Sequence, residues 1–170
     1  MYIMRRNNGL LMSKGCDVNI LVVDGMGGGI GKSIIEHLKS ALGDVKITAV
    51  GTNSIATSAM LKAGADFGAT GENAVIYNCS KADFIIGVVG IVFANSMCGE
   101  VSPNMALAVS SSPAHKILIP VDKCNVTVLG VAERPIQAYI SDISKQIEKN
   151  MRYHETSFPV RFCCAAKLHE

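Results

Sequence analysis

The stretch from Val23 to Ser33 reads VDGMGGGIGKS and places glycine at positions 25, 27, 28, 29 and 31. Glycine at that density suits the binding of an anion. Without a Cβ, backbone N–H groups can approach a phosphate closely, and the partial positive charge of a following helix N-terminus adds to the attraction. A tight turn alone needs only one or two such residues. Asp24, Gly25, Gly27, Gly28, Gly29 and Gly31 are therefore candidate ligand-binding residues, with Thr52, Asn53, Asn95 and Ser96 as polar groups that can orient the rest of a ligand. Two residues are candidates for catalysis. Cys124 stands next to Lys123, which would favour a thiolate if the side chains meet, and Glu100 could act as an acid or base. Each also has a plain structural reading: a small side chain packed at a strand end for Cys124, a charge at a helix entry for Glu100.

Two phosphate-loop patterns come close without matching. G-x-x-x-x-G-K-[ST] ending in Gly31-Lys32-Ser33 requires glycine where Met26 stands, so an ATPase or GTPase loop is one position out of register, and Lys32 reads as a solvated helix residue. G-x-G-x-x-G fails at Ile30. Gly25-x-x-x-Gly29-Ile30-Gly31 does resemble the turn of short-chain dehydrogenases, NAD(P)-dependent enzymes with a Tyr-x-x-x-Lys pair. Tyr77-Asn78-Cys79-Ser80-Lys81 supplies that string, but it follows the glycines too soon and leads into a strand, which puts Lys81 at the opposite sheet edge. The region where a dinucleotide fold carries its ribose-binding acid holds Gly51, Thr52, Asn53 and Ser54, with no carboxylate. NAD(P) or another nucleotide is thus a possible cofactor that the turn alone does not identify.

The 170 residues suffice for one domain with a real core; 49% are hydrophobic and 18% charged, which excludes a disordered chain. The longest apolar run, Phe84 to Ala94, is too short to span a bilayer and reads as a buried strand plus loop. Leu10-Leu11-Met12 is too short for a signal-peptide core, and Met12 is a candidate natural start, so a cytoplasmic location is expected. The net charge of +2 sits at the ends: residues 1–16 carry three basic groups and no acid, and the centre is slightly acidic. That argues against nucleic acid as partner; no membrane partner is expected either, the glycine loop points to a small-molecule ligand bearing phosphate, and a homo-oligomer is left open. The six cysteines (16, 79, 98, 124, 163, 164) form no C-x-x-C pair, so no metal site is expected, and Cys79 reads as a small buried apolar group.

The elements that must position these residues follow from periodicity. Asn19–Val23 reads as a strand, and Ile30, Ile34, Leu38 and Leu42 form one helix face. Val45–Val50 is a second strand, followed by a helix from Ile55 to Ala63 with capping residues before it. Gly71–Ala82 reads as a helix, Asp83–Gly87 as a third strand, and Ser102-Pro103 as the start of a helix reaching Ser111. Lys116–Pro120 and Asn125–Val131 read as two further strands. Pro135 then opens a helix with Ile136, Ile140, Ile143 and Ile147 on one face. Alternating strands and helices imply an α/β domain, three layers around a mostly parallel sheet of about five strands, with every loop that follows a strand at one edge.

DGMGGGIGKSIIEHL, GTNSIATSAMLKAGADFGATGENA, ANSMCGEVSPNMA and ILIPVDKCN together make residues 18–150 resemble a small bacterial family known only as a domain of unknown function. The resemblance implies a Rossmann-like fold and transfers no activity. It leaves 1–16 as an N-terminal extension and 151–170 as a C-terminal tail, both expected to be disordered, around a domain at 17–150. The expected function is binding of a nucleotide or phosphorylated small molecule at the glycine loop, with no reaction assigned. The rival is a non-catalytic regulatory or scaffold module whose glycine turn is purely structural.

Overall fold

The computed structural model describes residues 5–6, 9–10, 18–121 and 126–157. Its sheet holds five strands: β1 (Asn19–Asp24), β2 (Lys46–Gly51), β3 (Phe67–Thr70), β4 (Phe84–Val88) and β5 (His115–Ile119). They lie in the order β3-β2-β1-β4-β5, all parallel. The described residues also hold five α-helices, α1 (Gly29–Leu42), α2 (Ser54–Lys62), α3 (Glu72–Cys79), α4 (Pro103–Ser111) and α5 (Ile136–Ser157), and short 3-10 turns at Val89–Val92 and Met97–Gly99. Ahead of them, Arg5–Arg6 and Gly9–Leu10 form a short antiparallel pair.

Side-chain alternation along β1 builds both cores at once. Ile20 and Val22 point to one face, under Ile34, Ile35 and Leu38 of α1, Ala56 and Met60 of α2, and Ile140, Ile143 and Ile147 of α5. Leu21 and Val23 point to the other, under Val75 and Cys79 of α3 and Met105, Ala106 and Val109 of α4. The result is the expected three-layer, Rossmann-like domain. Each of the three α5 isoleucines is fully buried, worth roughly 1.5–3 kcal/mol apiece, which fastens that helix despite its polar outer face.

Two strand assignments differ from the periodicity. Phe67–Thr70 is the edge strand β3, although its four residues include glycine and it is exposed on both faces, so no alternation marks it. Residues 126–131 form no strand. Val128 and Val131 are exposed and Leu129 is 91% exposed, so their β-branched and apolar character finds no neighbouring strand to pack against. The helix expected over 71–82 stops at Cys79. The terminal extensions fall largely outside the described residues; α5 continues through the expected boundary at 150 as far as Ser157. No helix among the described residues is long and apolar enough to cross a membrane.

The strand order reverses direction at β1. Chain progress runs from β1 through β2 to β3 on one side, then crosses to β4 and β5 on the other. The carboxyl ends of β1 and β4 therefore flank the topological switch point, the place where open α/β sheets form their ligand crevice, and the glycine turn leaves β1 directly there.

Candidate functional site

Each glycine of the turn meets different surroundings. At Gly28 the backbone is left-handed (φ +69°), and a Cβ there would lie 2.6 Å from Ala56 Cα, so this residue lets α1 and α2 pack backbone to backbone. A Cβ at Gly31 would stand 2.6 Å from Met60 Sδ and 2.8 Å from Asp24 Cβ; one at Gly25 would stand 2.7 Å from both Met97 Sδ and Thr52 Oγ1. Gly28 and Gly31 are thus required by the packing of the fold, and Gly25 by the side chains of Met97, Thr52 and Glu100 that close over it. Gly27 and Gly29 are different, because a Cβ at either meets no atom within 4 Å and neither has a positive φ.

The first turn of α1 has four N–H groups without helical partners, as every helix start does. Asp24 accepts one of them, Gly31 N–H to Oδ2 at 2.6 Å, and its Oδ1 accepts Gly25 N–H at 2.8 Å. This buried carboxylate supplies the negative charge that a helix N-terminus favours. Burial pushes its pKa up, the two amide hydrogen bonds oppose that, and the charge of Glu100 adds to the rise. The amides of Gly27, Gly29 and Ile30 have no acceptor among the described residues. Three backbone donors and the open space beside two glycines thus lie together in the four residues from Gly27 to Ile30.

Glu100 ties the turn to the end of β2. Its Oε2 accepts Met26 N–H at 2.7 Å, Thr52 Oγ1–H at 2.5 Å and Asn53 Nδ2–H at 2.9 Å. The Thr52 and Met26 bonds, and more weakly that from Asn53, hold its carboxyl below the usual range. Asn53 is fully engaged: its Oδ1 caps α2 through Ala56 N–H, and Nδ2 also reaches Met26 O, both at 2.9 Å. The carboxylate missing near the end of β2 in the sequence is therefore present in space, brought from the loop between β4 and α4. Sequence reasoning placed Glu100 near the rim but missed its partners, and missed Met26 and Met97 altogether.

That loop is folded on itself. Asn95 N–H donates to Val101 O at 2.7 Å, Val101 N–H to Ser96 O at 3.3 Å, and the buried Ser96 hydroxyl to Gly90 O at 2.5 Å. Ser96 is thus a fastener of the loop, while Asn95 remains exposed at its edge. Among the described residues, four non-glycine residues have positive φ: Met26, Asn95, Met97 and Cys98. All four lie on the two loops that meet over the crevice. Left-handed backbone costs a non-glycine residue of order 1–3 kcal/mol and tends to gather where function demands a particular geometry.

The remaining motif residues lie apart from the crevice. Lys32 is exposed and pairs with Glu36 at 3.8 Å, and Ser33 Oγ–H bonds Gly29 O at 3.1 Å within the helix. The Lys81 ammonium bonds the Tyr77 hydroxyl and lies 3.8 Å from its ring centroid. That pair is local, and the chain enters β4 just beyond it, where Asp83 N–H meets Asn19 O at the start of β1, the edge opposite the glycines. Cys79 is buried in the core, its thiol pushed up to about 11 by burial. Cys124 and Lys123 lie outside the described residues. No group of three metal-ligating side chains occurs among the described residues.

A family model described as a domain of unknown function (DUF3842) matches residues 19–152, nearly the span over which the motifs carry the resemblance. A search of curated proteins finds no match.

Proposed function

The chain belongs to that family, whose description names no activity, and from this premise we propose that it binds a nucleotide or phosphorylated small molecule in the crevice beside the glycine turn, in the cytoplasm. One observation carries the reading. Gly27 and Gly29 are glycines that neither φ nor packing requires, and the amides of Gly27, Gly29 and Ile30 at the N-terminus of α1 have no acceptor among the described residues. A close-approaching anion supplies the reason for them. The location supports it too, since ligands of open α/β sheets sit at the switch point outside the carboxyl strand ends.

The rival, a non-catalytic module with a structural turn, accounts for Gly25, Gly28 and Gly31 through packing and leaves Gly27 and Gly29 unexplained. No reaction is assigned to the site: Glu100 is held as an ionised acceptor by three donors.

Thermal-shift screening with ATP, NADPH and a sugar phosphate tests the reading. At least one should raise the melting temperature in proportion to the logarithm of its concentration, by linkage. No shift with any of the three at millimolar concentration would sink it.

A further inference from the structure

The hydrogen bonds around Glu100 have an unusual origin. Their three donors come from two loops, Met26 from the glycine turn and Thr52 and Asn53 from the end of β2, yet they converge on one oxygen delivered by a third loop. A backbone amide, a hydroxyl and a side-chain amide aimed at one point make an oxyanion cradle. The donors are assembled by the sheet edge; the acceptor rides on the strap from Asn95 to Val101. The strap is closed by its own hydrogen bonds, and it meets the turn through Glu100 and through Met97, which lies over Gly25. The bridge it makes runs from the β4 side to the β2 side, across the glycine turn. A ligand spanning the switch point would take that same path.

We infer that Glu100 is a built-in occupant of the switch point: its carboxylate fills the cradle of Met26, Thr52 and Asn53, and the 95–101 strap lifts when a phosphate resting on the adjoining Gly27, Gly29 and Ile30 amides turns another of its oxygens to those three donors. The exchange replaces one anionic oxygen with another on the same partners, so the cradle stays satisfied in both states. The strap's left-handed residues, Asn95, Met97, Cys98 and Gly99, mark it as a segment whose shape is held by its surroundings. The inference rests on the binding reading above and adds its regulation. The closed strap lowers the apparent affinity of the site by the fraction of molecules that are open.

The test is isothermal titration of the full chain with inorganic phosphate and with ATP, on the wild type and on Glu100→Ala. Removing the built-in carboxylate should tighten both probes on the order of tenfold, as expected when a closed state is eliminated. Thr52→Val in the Glu100→Ala background should reverse that gain for phosphate. Glu100→Gln, which keeps the size of the side chain, and Met97→Ala, which loosens the strap without touching the cradle, should shift affinity in the same direction and carry the test if Glu100→Ala does not fold. A second readout is the alkylation rate of the exposed Cys98, followed by peptide mass spectrometry. ATP should change that rate in the wild type and leave it unchanged in Glu100→Ala. Equal or weaker binding by the folded Glu100 variants, with wild type still binding ATP, would overturn the strap and leave the site standing. Failure of every protein to bind either probe would remove the site itself, and the strap with it.

Discussion

Gly29→Ala separates a glycine kept for a ligand from one kept for the fold. Gly29 is the first residue of α1, its φ is not positive, and a Cβ there meets nothing within 4 Å. The substitution therefore adds no strain and removes freedom from the unfolded chain, stabilising the free protein by about 0.4–1 kcal/mol. For a chain of this size that is a rise of about 1–4 °C in melting temperature. The liganded state responds in the opposite sense. Helical Cβ atoms lean toward the N-terminus, so the new methyl stands where a phosphate oxygen must come within about 3.0 Å of the Gly29 and Ile30 amides. A ligand present at 100 times its Kd stabilises the wild type by about 2.7 kcal/mol; a hundredfold loss of affinity leaves about 0.4 kcal/mol of that. Differential scanning fluorimetry with and without ATP reads both quantities. Gly29→Ala should show a higher melting temperature without ligand and a nearly vanished ligand shift. A lowered melting temperature in the free protein, or an undiminished shift, would refute the assignment of Gly29.

The neighbouring Gly28→Ala should do the reverse, costing about 2–5 kcal/mol with no ligand present, because it combines a left-handed alanine with a contact 2.6 Å from Ala56 Cα; a denaturant titration showing under 1 kcal/mol would contradict the α1–α2 packing described. Burial, aided by the positive charge of Lys145, holds the His37 ring below its ordinary value while its Nε2 meets Ser144 Oγ at 3.1 Å. The folded state thus favours the neutral ring, and its contribution is whole above pH 6.5 and lost as pH falls through the lower folded value. Wild type should lose stability relative to His37→Gln between pH 7.5 and 5, and a constant difference across that range would be the contrary result. In native protein at pH 8, iodoacetamide should modify the exposed Cys98 and spare the buried Cys79, whose thiol is pushed up to about 11; comparable labelling of the two would contradict the core assignment.

Helix positions were legible where local chemistry determines them. Ser102 before Pro103 marks the start of α4, and the structure shows Ser102 Oγ accepting Met105 N–H at 3.2 Å. Asn53 caps α2 in the same way. The strand β3 was not legible, because an edge strand with Phe67 63% exposed has no buried face to impose a period. Valines at 126, 128 and 131 fail as a strand signal for the opposite reason: strand propensity is realised only against a neighbour, and among the described residues no strand pairs with them.

The glycine turn itself was evident from composition, yet the division of labour within it was not. Only the positions of Ala56, Met60 and Met97 reveal that Gly25, Gly28 and Gly31 belong to the fold. Likewise Glu100 lies 48 residues from Thr52 and 47 from Asn53 along the chain. Their contact exists because the strand order sets β4 two places from β2, a property of topology that no local pattern encodes.

An anion docked on the glycine turn would report itself at the amides of Gly27, Gly29 and Ile30, which have no acceptor among the described residues. A ¹⁵N–¹H correlation spectrum of the full chain, titrated with ATP and with inorganic phosphate, addresses those amides one by one. The account predicts saturable shifts that are largest at Gly27, Gly29 and Ile30, accompanied by changes along residues 95–101. Saturable shifts centred elsewhere, with these three amides unmoved, would contradict it.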